Sequence, residues 1–187
     1  MTLEQLASEL QGCTRCGLSE GRNRIVFGSG NPRSRIMIIG EGPGRDEDEQ
    51  GLPFVGKAGQ LLDRILAAIQ LTREDVYIGN VVKCRPPDNR VPTRMEAAAC
   101  LPYLYKQIEM IQPQIIILLG STALQNLIGP QARITKMRGQ WLESKSGIKI
   151  LPTFHPAAVL RDPSKRRPVW EDFQKIQEEY LKLEGKR

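Results

Sequence analysis

Four short apolar runs constrain the fold of this chain more than any other feature of its sequence. They are RIMIIGE (Arg35–Glu41), VYIGNVV (Val76–Val82), QIIILLG (Gln114–Gly120) and IKILPTF (Ile148–Phe154). Each is rich in β-branched residues and lacks the polar–apolar alternation of a strand with one wet face. Such runs fit strands of a parallel sheet covered on both sides. Helical patterns alternate with them. KAGQLLDRILAAIQ (Lys57–Gln70) sets Leu61, Leu62, Ile65, Leu66 and Ile69 on one side. The segment from Thr93 to Ile111 opens with Thr93 and Glu96 at the spacing of a capping box, and Thr2 and Gln5 repeat that spacing near the N-terminus. STALQNLIG (Ser121–Gly129) predicts a short helix stopped by glycine, and PVWEDFQKIQEEYLKL predicts a last one. The expected fold class is α/β, a three-layer α/β/α sandwich with a central four-stranded parallel sheet. At 187 residues, a single domain spanning 1–187 is the expectation.

In open α/β sheets, ligands bind outside the carboxyl ends of the strands. Those ends carry GEGPG (Gly40–Gly44), Asn80 in GNVVKC, GSTA (Gly120–Ala123) and His155 in TFHPAAVLR. His155 is the sole histidine. A lone histidine is more often structural than catalytic, but a place at a strand end beside Asn80 favours function. The loop GEGPGRDEDEQGLPFVGKAG brings glycines that let backbone approach a ligand closely. It lacks the G-K-[ST] of a P-loop and the G-x-G-x-x-G of a dinucleotide site. Its acidic run, Asp46–Glu49, reads as a solvated turn. Phe54, in the same loop, is either anchored in a core or offered to a planar ligand.

The four cysteines follow a C-x2-C pattern (Cys13, Cys16), then a long gap, then Cys84 and Cys100. MTLEQLASEL is not a signal peptide, and IIILLG is far too short to cross a bilayer. A cytoplasmic protein with reduced thiols is therefore expected, where four cysteines are more often ligands or core residues than disulfides. Zinc and an iron–sulfur cluster both accept four thiolates, and spacing alone does not choose between them. The net charge of +6 gathers in KCRPPDNRVPTR, RITKMRGQ and LRDPSKRRP, all punctuated by Pro or Gly. Basic loops of that kind suit a phosphate-rich partner, although a solvated surface explains any one of them.

Together, GEGPGRDEDEQGLPFVGKAGQLL, NVVKCRPPDNRVPT and TFHPAAVLR, framed by the four cysteines, closely resemble the family 4 uracil-DNA glycosylases. The resemblance runs from about Leu6 to Trp170. It implies a repair enzyme that flips uracil out of DNA and hydrolyses its N-glycosidic bond. It implies a 4Fe–4S cluster held by Cys13, Cys16, Cys84 and Cys100. Asn80 would read the Watson–Crick edge of uracil, and Phe54 would stack on the base. Gly40, Glu41 and Gly42 would form the wall nearest the sugar and O2. His155 would stabilise the charge growing on the leaving base. Glu47 would lie close to the base, excluding the thymine methyl or positioning water. Val159 and Leu160 would form the wedge that fills the gap left by the flipped base, with Arg161 on phosphate. The implied partner is uracil-containing DNA, double- or single-stranded, met by a monomer with no membrane contact.

The sequence departs from the wider superfamily in two places. The best-known branch carries an aspartate after the first strand to orient water; here Glu41–Gly42 stands in that neighbourhood. Arg45 replaces a residue that is often acidic and should face solvent or DNA. Covalent-trapping relatives use a basic insertion with a histidine, and this chain has no second histidine. Two other classes compete with the glycosylase reading: a module that binds uracil or single strands without cutting, and a redox protein that uses the cluster. Asn80 and His155 together argue against the first. The lack of a flavin or nicotinamide motif argues against the second.

Overall fold

The computed structural model describes residues 1–185. All four apolar runs form strands, within a residue or two of the expected bounds. They are β2 (Ile36–Gly40), β3 (Val76–Asn80), β4 (Ile115–Leu119) and β6 (Lys149–Thr153). Their spatial order is β3-β2-β4-β6, every pairing parallel. The sheet is nonetheless six-stranded rather than four-stranded. Two-residue strands, β1 (Ser29–Gly30) and β5 (Leu142–Glu143), pair antiparallel at its two edges. Strands this short leave no periodicity in a sequence, so the expectation missed them.

Alternate strand residues feed the two faces. Ile36, Ile38, Ile115 and Ile117 pack with Leu62 and Leu66 of α4 (Lys57–Ala68) and with Val169, Phe173 and Ile176 of α9 (Arg166–Glu184). Met37, Ile39, Ile116 and Leu118 pack with Ala97 and Leu104 of α5 (Arg94–Ile111) and with Ala123 and Leu124 of α6 (Gly120–Leu127). The three layers follow from strands buried on both sides. Both capping boxes form, Thr2 with Gln5 on α1 (Leu3–Leu10) and Thr93 with Glu96 on α5. Leu6 and Leu10 of α1 pack on Tyr103 of α5. The short helices are α2 (Leu18–Gly21), α3 (Arg45–Gln50), α7 (Ile134–Met137) and α8 (Pro156–Arg161).

The acidic run is the clearest local correction. Asp46–Glu49 lies in helix α3, not in a solvated turn, and Asp48 is fully buried. Its carboxylate accepts from the Asn23 N–H at 2.8 Å, the Asn23 side-chain amide at 2.7 Å and the Arg24 N–H at 3.3 Å. Its partners lie about two dozen residues back, out of reach of any local pattern. No helix among the described residues is long and apolar enough to cross a membrane.

Candidate active site and thiol cradle

The parallel order brings four strand ends to one side of the sheet. Glu41 follows β2, Asn80 ends β3, Gly120 follows β4 and His155 lies two residues past β6. Gly40 and Asn80 are register partners. Beyond them the Val81 and Val82 N–H groups still bond the Gly40 and Glu41 carbonyls, at 2.9 and 3.1 Å. This pairing presses the side chains of β3 against the chain leaving β2. A Cβ on Gly40 would stand 2.6 Å from Asn80 Oδ1 and 2.7 Å from the Phe54 ring, and one on Gly42 would stand 2.6 Å from Val82. Only glycine fits at either place.

Asn80 is almost wholly buried, yet its Oδ1 has no hydrogen-bond partner among the described residues. An unpaired buried acceptor costs about 1–3 kcal/mol. Phe54 is also buried, and its ring stacks on His155 with centroids 5.5 Å apart and planes at 26°. The loop around it is held in an unusual shape. Phe54 adopts a left-handed φ of 53°. The Arg73 guanidinium donates to the Pro53 and Phe54 carbonyls and pairs with Asp63 at 2.6 Å. Gly59 sits so close that a Cβ would meet the Phe54 carbonyl at 1.8 Å.

His155 is half-buried and serves as the N-cap of α8. Its Nδ1 accepts from the Ala157 N–H at 3.0 Å. A nitrogen that accepts carries no proton, so the neutral ring bears its proton on Nε2. Burial first, and the charge of Arg161 second, push the His155 pKa down to about 4. At neutral pH the ring is therefore an uncharged donor.

Both oxygens of Glu47 are engaged, one by the Gly44 N–H at 3.3 Å and the other by the Gly56 N–H at 2.9 Å. Glu47 thus ties the two ends of the loop that carries α3. Glu41 accepts from the Thr122 hydroxyl of α6 at 2.5 Å. Glu41, Gly42, Glu47, His155, Leu160 and Arg161 all line one cleft of about 720 Å³. Arg45, Lys57, Arg90 and Lys165 add positive charge to its walls. Arg45 is exposed and, among the described residues, pairs only with Glu49. The expected wedge needs correction. Val159 is 2% exposed and packs in the core beneath α8, so it anchors the helix and cannot enter a base stack. Leu160, its neighbour, is 44% exposed.

On the far side of β3, Cys13, Cys16, Cys84 and Cys100 line a single cavity together with Arg22 and Lys83. None of the four forms a disulfide among the described residues. Arg22 donates to Cys84 Sγ at 3.5 Å and to the Cys13 carbonyl at 2.6 Å. Burial pushes the Cys84 thiol up to about 11, with the Arg22 hydrogen bond and charge pulling against it. Among the described residues, no group of three His, Cys, Asp or Glu side chains is arranged to hold a single metal ion. The thiols surround a space rather than converge on a point. Four thiols from three segments, with two cations at hand, fit a group that binds several thiolates and carries negative charge.

Sequence reasoning passed over several residues that build these sites. Lys83 is 1% exposed, its Nζ donating to the Asn80 carbonyl at 3.0 Å and to Gln107 Oε1 at 2.6 Å. The charge wedged between two valines and a cysteine was its only signal. Thr122 and Arg73 act across long sequence separations and had none. Asp172 of α9, fully buried, accepts from Thr153 Oγ1 at 2.6 Å and pairs with Arg138. It fixes the end of β6 two residues before His155.

Comparison with known proteins agrees with this arrangement. The uracil DNA glycosylase superfamily matches over residues 27–175. A type-4 uracil-DNA glycosylase of Thermotoga maritima is 47% identical, covering 98% of this chain and 96% of the relative. Those of Saccharolobus solfataricus and Archaeoglobus fulgidus are 47% and 44% identical, covering 94% and 95% of this chain and 85% and 92% of their own. With likeness of this extent, and the motifs brought together on one sheet edge, the chain belongs to the uracil DNA glycosylase superfamily, within its type-4 family.

Proposed function

We propose that this chain excises uracil from DNA, releasing the free base and leaving an abasic site. The observation that carries the reading is the unpaired Oδ1 of Asn80, buried at the end of β3 beside Gly40 and Phe54. Uracil presents an N3–H donor and an O4 acceptor on its Watson–Crick edge. Asn80 Oδ1 meets the first and its amide N–H the second. Cytosine presents an acceptor and a donor there, so it would leave both groups opposed. A base inside a duplex reaches such a pocket only by flipping out.

The bond that breaks is C1′–N1, and its electron pair leaves with the uracil and spreads onto O2. The bond that forms joins C1′ to the oxygen of water, whose proton must go to an acceptor. Nε2–H of neutral His155 stabilises the charge growing on O2. A donor aimed at a developing oxyanion is worth about 3–4 kcal/mol. Glu41, which lines the cleft, orients the water and takes its proton in this reading. Glu47, with both oxygens bound by backbone, positions the loop. Leu160 fills the space left by the flipped base, and Arg161 with the basic walls meets phosphate. Cys13, Cys16, Cys84 and Cys100 would hold a 4Fe–4S cluster. When bound, it would tie the N-terminal segment to the loop after β3, and no step of the hydrolysis needs its electrons.

Single-turnover cleavage of a U·G oligonucleotide tests the reading, with a uracil-free duplex as control. The wild type should leave alkali-labile abasic sites without added cofactor. Asn80→Ala and His155→Ala should each lose roughly a hundredfold or more. A folded, brown protein inert on every uracil context would overturn it in favour of a binding module.

A further inference from the structure

The third strand end, GSTA, has no part in the reaction so far described, yet it touches the site. α6 begins directly after β4, and its third residue, Thr122, is 8% exposed. β4 lies beside β2, with Leu118 the register partner of Ile39. Neighbouring strands therefore deliver Thr122 and Glu41 side by side, although 81 positions separate them. The Thr122 hydroxyl donates to Glu41 Oε2. Among the described residues, Glu41 Oε1 makes no side-chain hydrogen bond, and the residue lines the cleft.

The two partners differ in stiffness. A glutamate has three rotatable side-chain bonds, and fixing them costs on the order of 1.5–2 kcal/mol. A threonine is β-branched with a restricted χ1, and this one is buried in a helix. The Asn126 side-chain amide further braces its turn by donating to the Thr122 carbonyl at 2.8 Å. The rigid member can thus fix the flexible one. Binding Oε2 leaves Oε1 as the free acceptor in the cleft.

We infer that Thr122 is a positioning residue for Glu41. It holds the carboxylate in the one rotamer that aims Oε1 at the attacking water. The inference rests on the uracil-excision reading, in which Glu41 orients water. It predicts an effect on the chemical step rather than on DNA binding. A water acceptor that swings free spends little time in the productive geometry, and misplacements on this scale cost rate steeply.

The test is a double-mutant cycle in single-turnover excision from a U·G duplex, with DNA affinity measured alongside. Thr122→Val, nearly isosteric, should lower the rate about tenfold and leave the affinity for DNA unchanged. Thr122→Ser keeps the hydroxyl and should restore most of the rate. In a Glu41→Gln background, Thr122→Val should cost nothing further, because the two residues act through one group. An equal loss in both backgrounds, or a serine variant as impaired as the valine, would overturn the inference and assign Thr122 to packing. So would a valine variant at full rate. A wild type that leaves uracil in place overturns the excision reading itself, and this inference with it. A wild type that cleaves, with a cycle that shows no coupling, overturns the inference alone.

Discussion

Asn80 and Lys83 lie three residues apart at the end of β3, and each is 1% exposed. The structure treats them in opposite ways. The Lys83 ammonium is bound by the Asn80 carbonyl and by Gln107, whose own amide donates to the Phe27 carbonyl at 2.8 Å and to the Tyr77 hydroxyl. The Asn80 Oδ1 has no hydrogen-bond partner among the described residues. Burying a charge is far costlier than burying an amide, so the fold must satisfy Lys83 internally. In the proposed reaction, the partner of the open amide arrives with the substrate. Of two buried polar groups, the paired one braces the scaffold, and the unpaired one is the group that the proposed reaction would use.

The largest effect should come from the open group. Asn80→Leu removes the amide at nearly constant volume. Uracil excision should fall by about two to three orders of magnitude, the scale of a lost active-site hydrogen bond. The thermal midpoint should not fall, since an unsatisfied acceptor disappears with the amide. A variant that loses stability and activity together would make Asn80 a scaffold residue and erase the contrast. Lys83→Met should do the reverse. It strands the Gln107 and Asn80 oxygens, and breaking a buried charged network costs about 3 kcal/mol or more. Chemical denaturation of the intact protein would read that loss. A neutral result would mean that the burial of Lys83 is not matched by dependence on it.

The same contrast, between partners near in sequence and partners brought by the fold, marks what the sequence could reveal. The four central strands were legible because each is a continuous apolar run. Both capping boxes were legible because cap and partner stand three residues apart. The thiol cradle was legible from Cys-x-x-Cys, although its closure depends on Cys84 and Cys100 far downstream. The failures share one cause. Asp48 is buried by Asn23, Glu41 is held by Thr122, and Phe54 is locked by Arg73 and Gly59. Every such pair is created by packing, and neither member announces the other. Val159 failed differently. Two adjacent apolar residues on a six-residue helix look alike in sequence, and only the helix phase decides which faces the core.

A third prediction concerns protons. His155 is held neutral, with its pKa lowered from 6.5 to about 4 by burial and then by Arg161. The unfolded chain therefore takes up this proton first as the pH falls. The contribution of His155 to stability is intact above about 6.5 and is lost as the pH drops from there through 4. Activity should follow the folded value. The acid limb that His155 imposes on the single-turnover rate belongs near pH 4, and His155→Gln should remove it. A limb centred on 6.5 would mean that the ring titrates as if in water, and that neither burial nor Arg161 governs its protonation.

The smallest effects separate the two neighbours on α8. Val159→Ala empties core volume beneath the helix and should cost about 2 kcal/mol of stability. Leu160→Ala, at an exposed site, should cost less than about 0.5 kcal/mol. Their effects on excision should run the other way. If Leu160 occupies the gap left by a flipped base, its loss matters only where a stack must be opened and kept open. Excision from duplex should then fall about tenfold, while excision from single-stranded DNA stays within about twofold, because a single strand has little pairing to disrupt. The ratio of the two rates is the informative quantity, since any general damage to the pocket lowers both alike. An unchanged ratio in Leu160→Ala would remove the wedge from α8 and leave the helix with the single task of presenting His155.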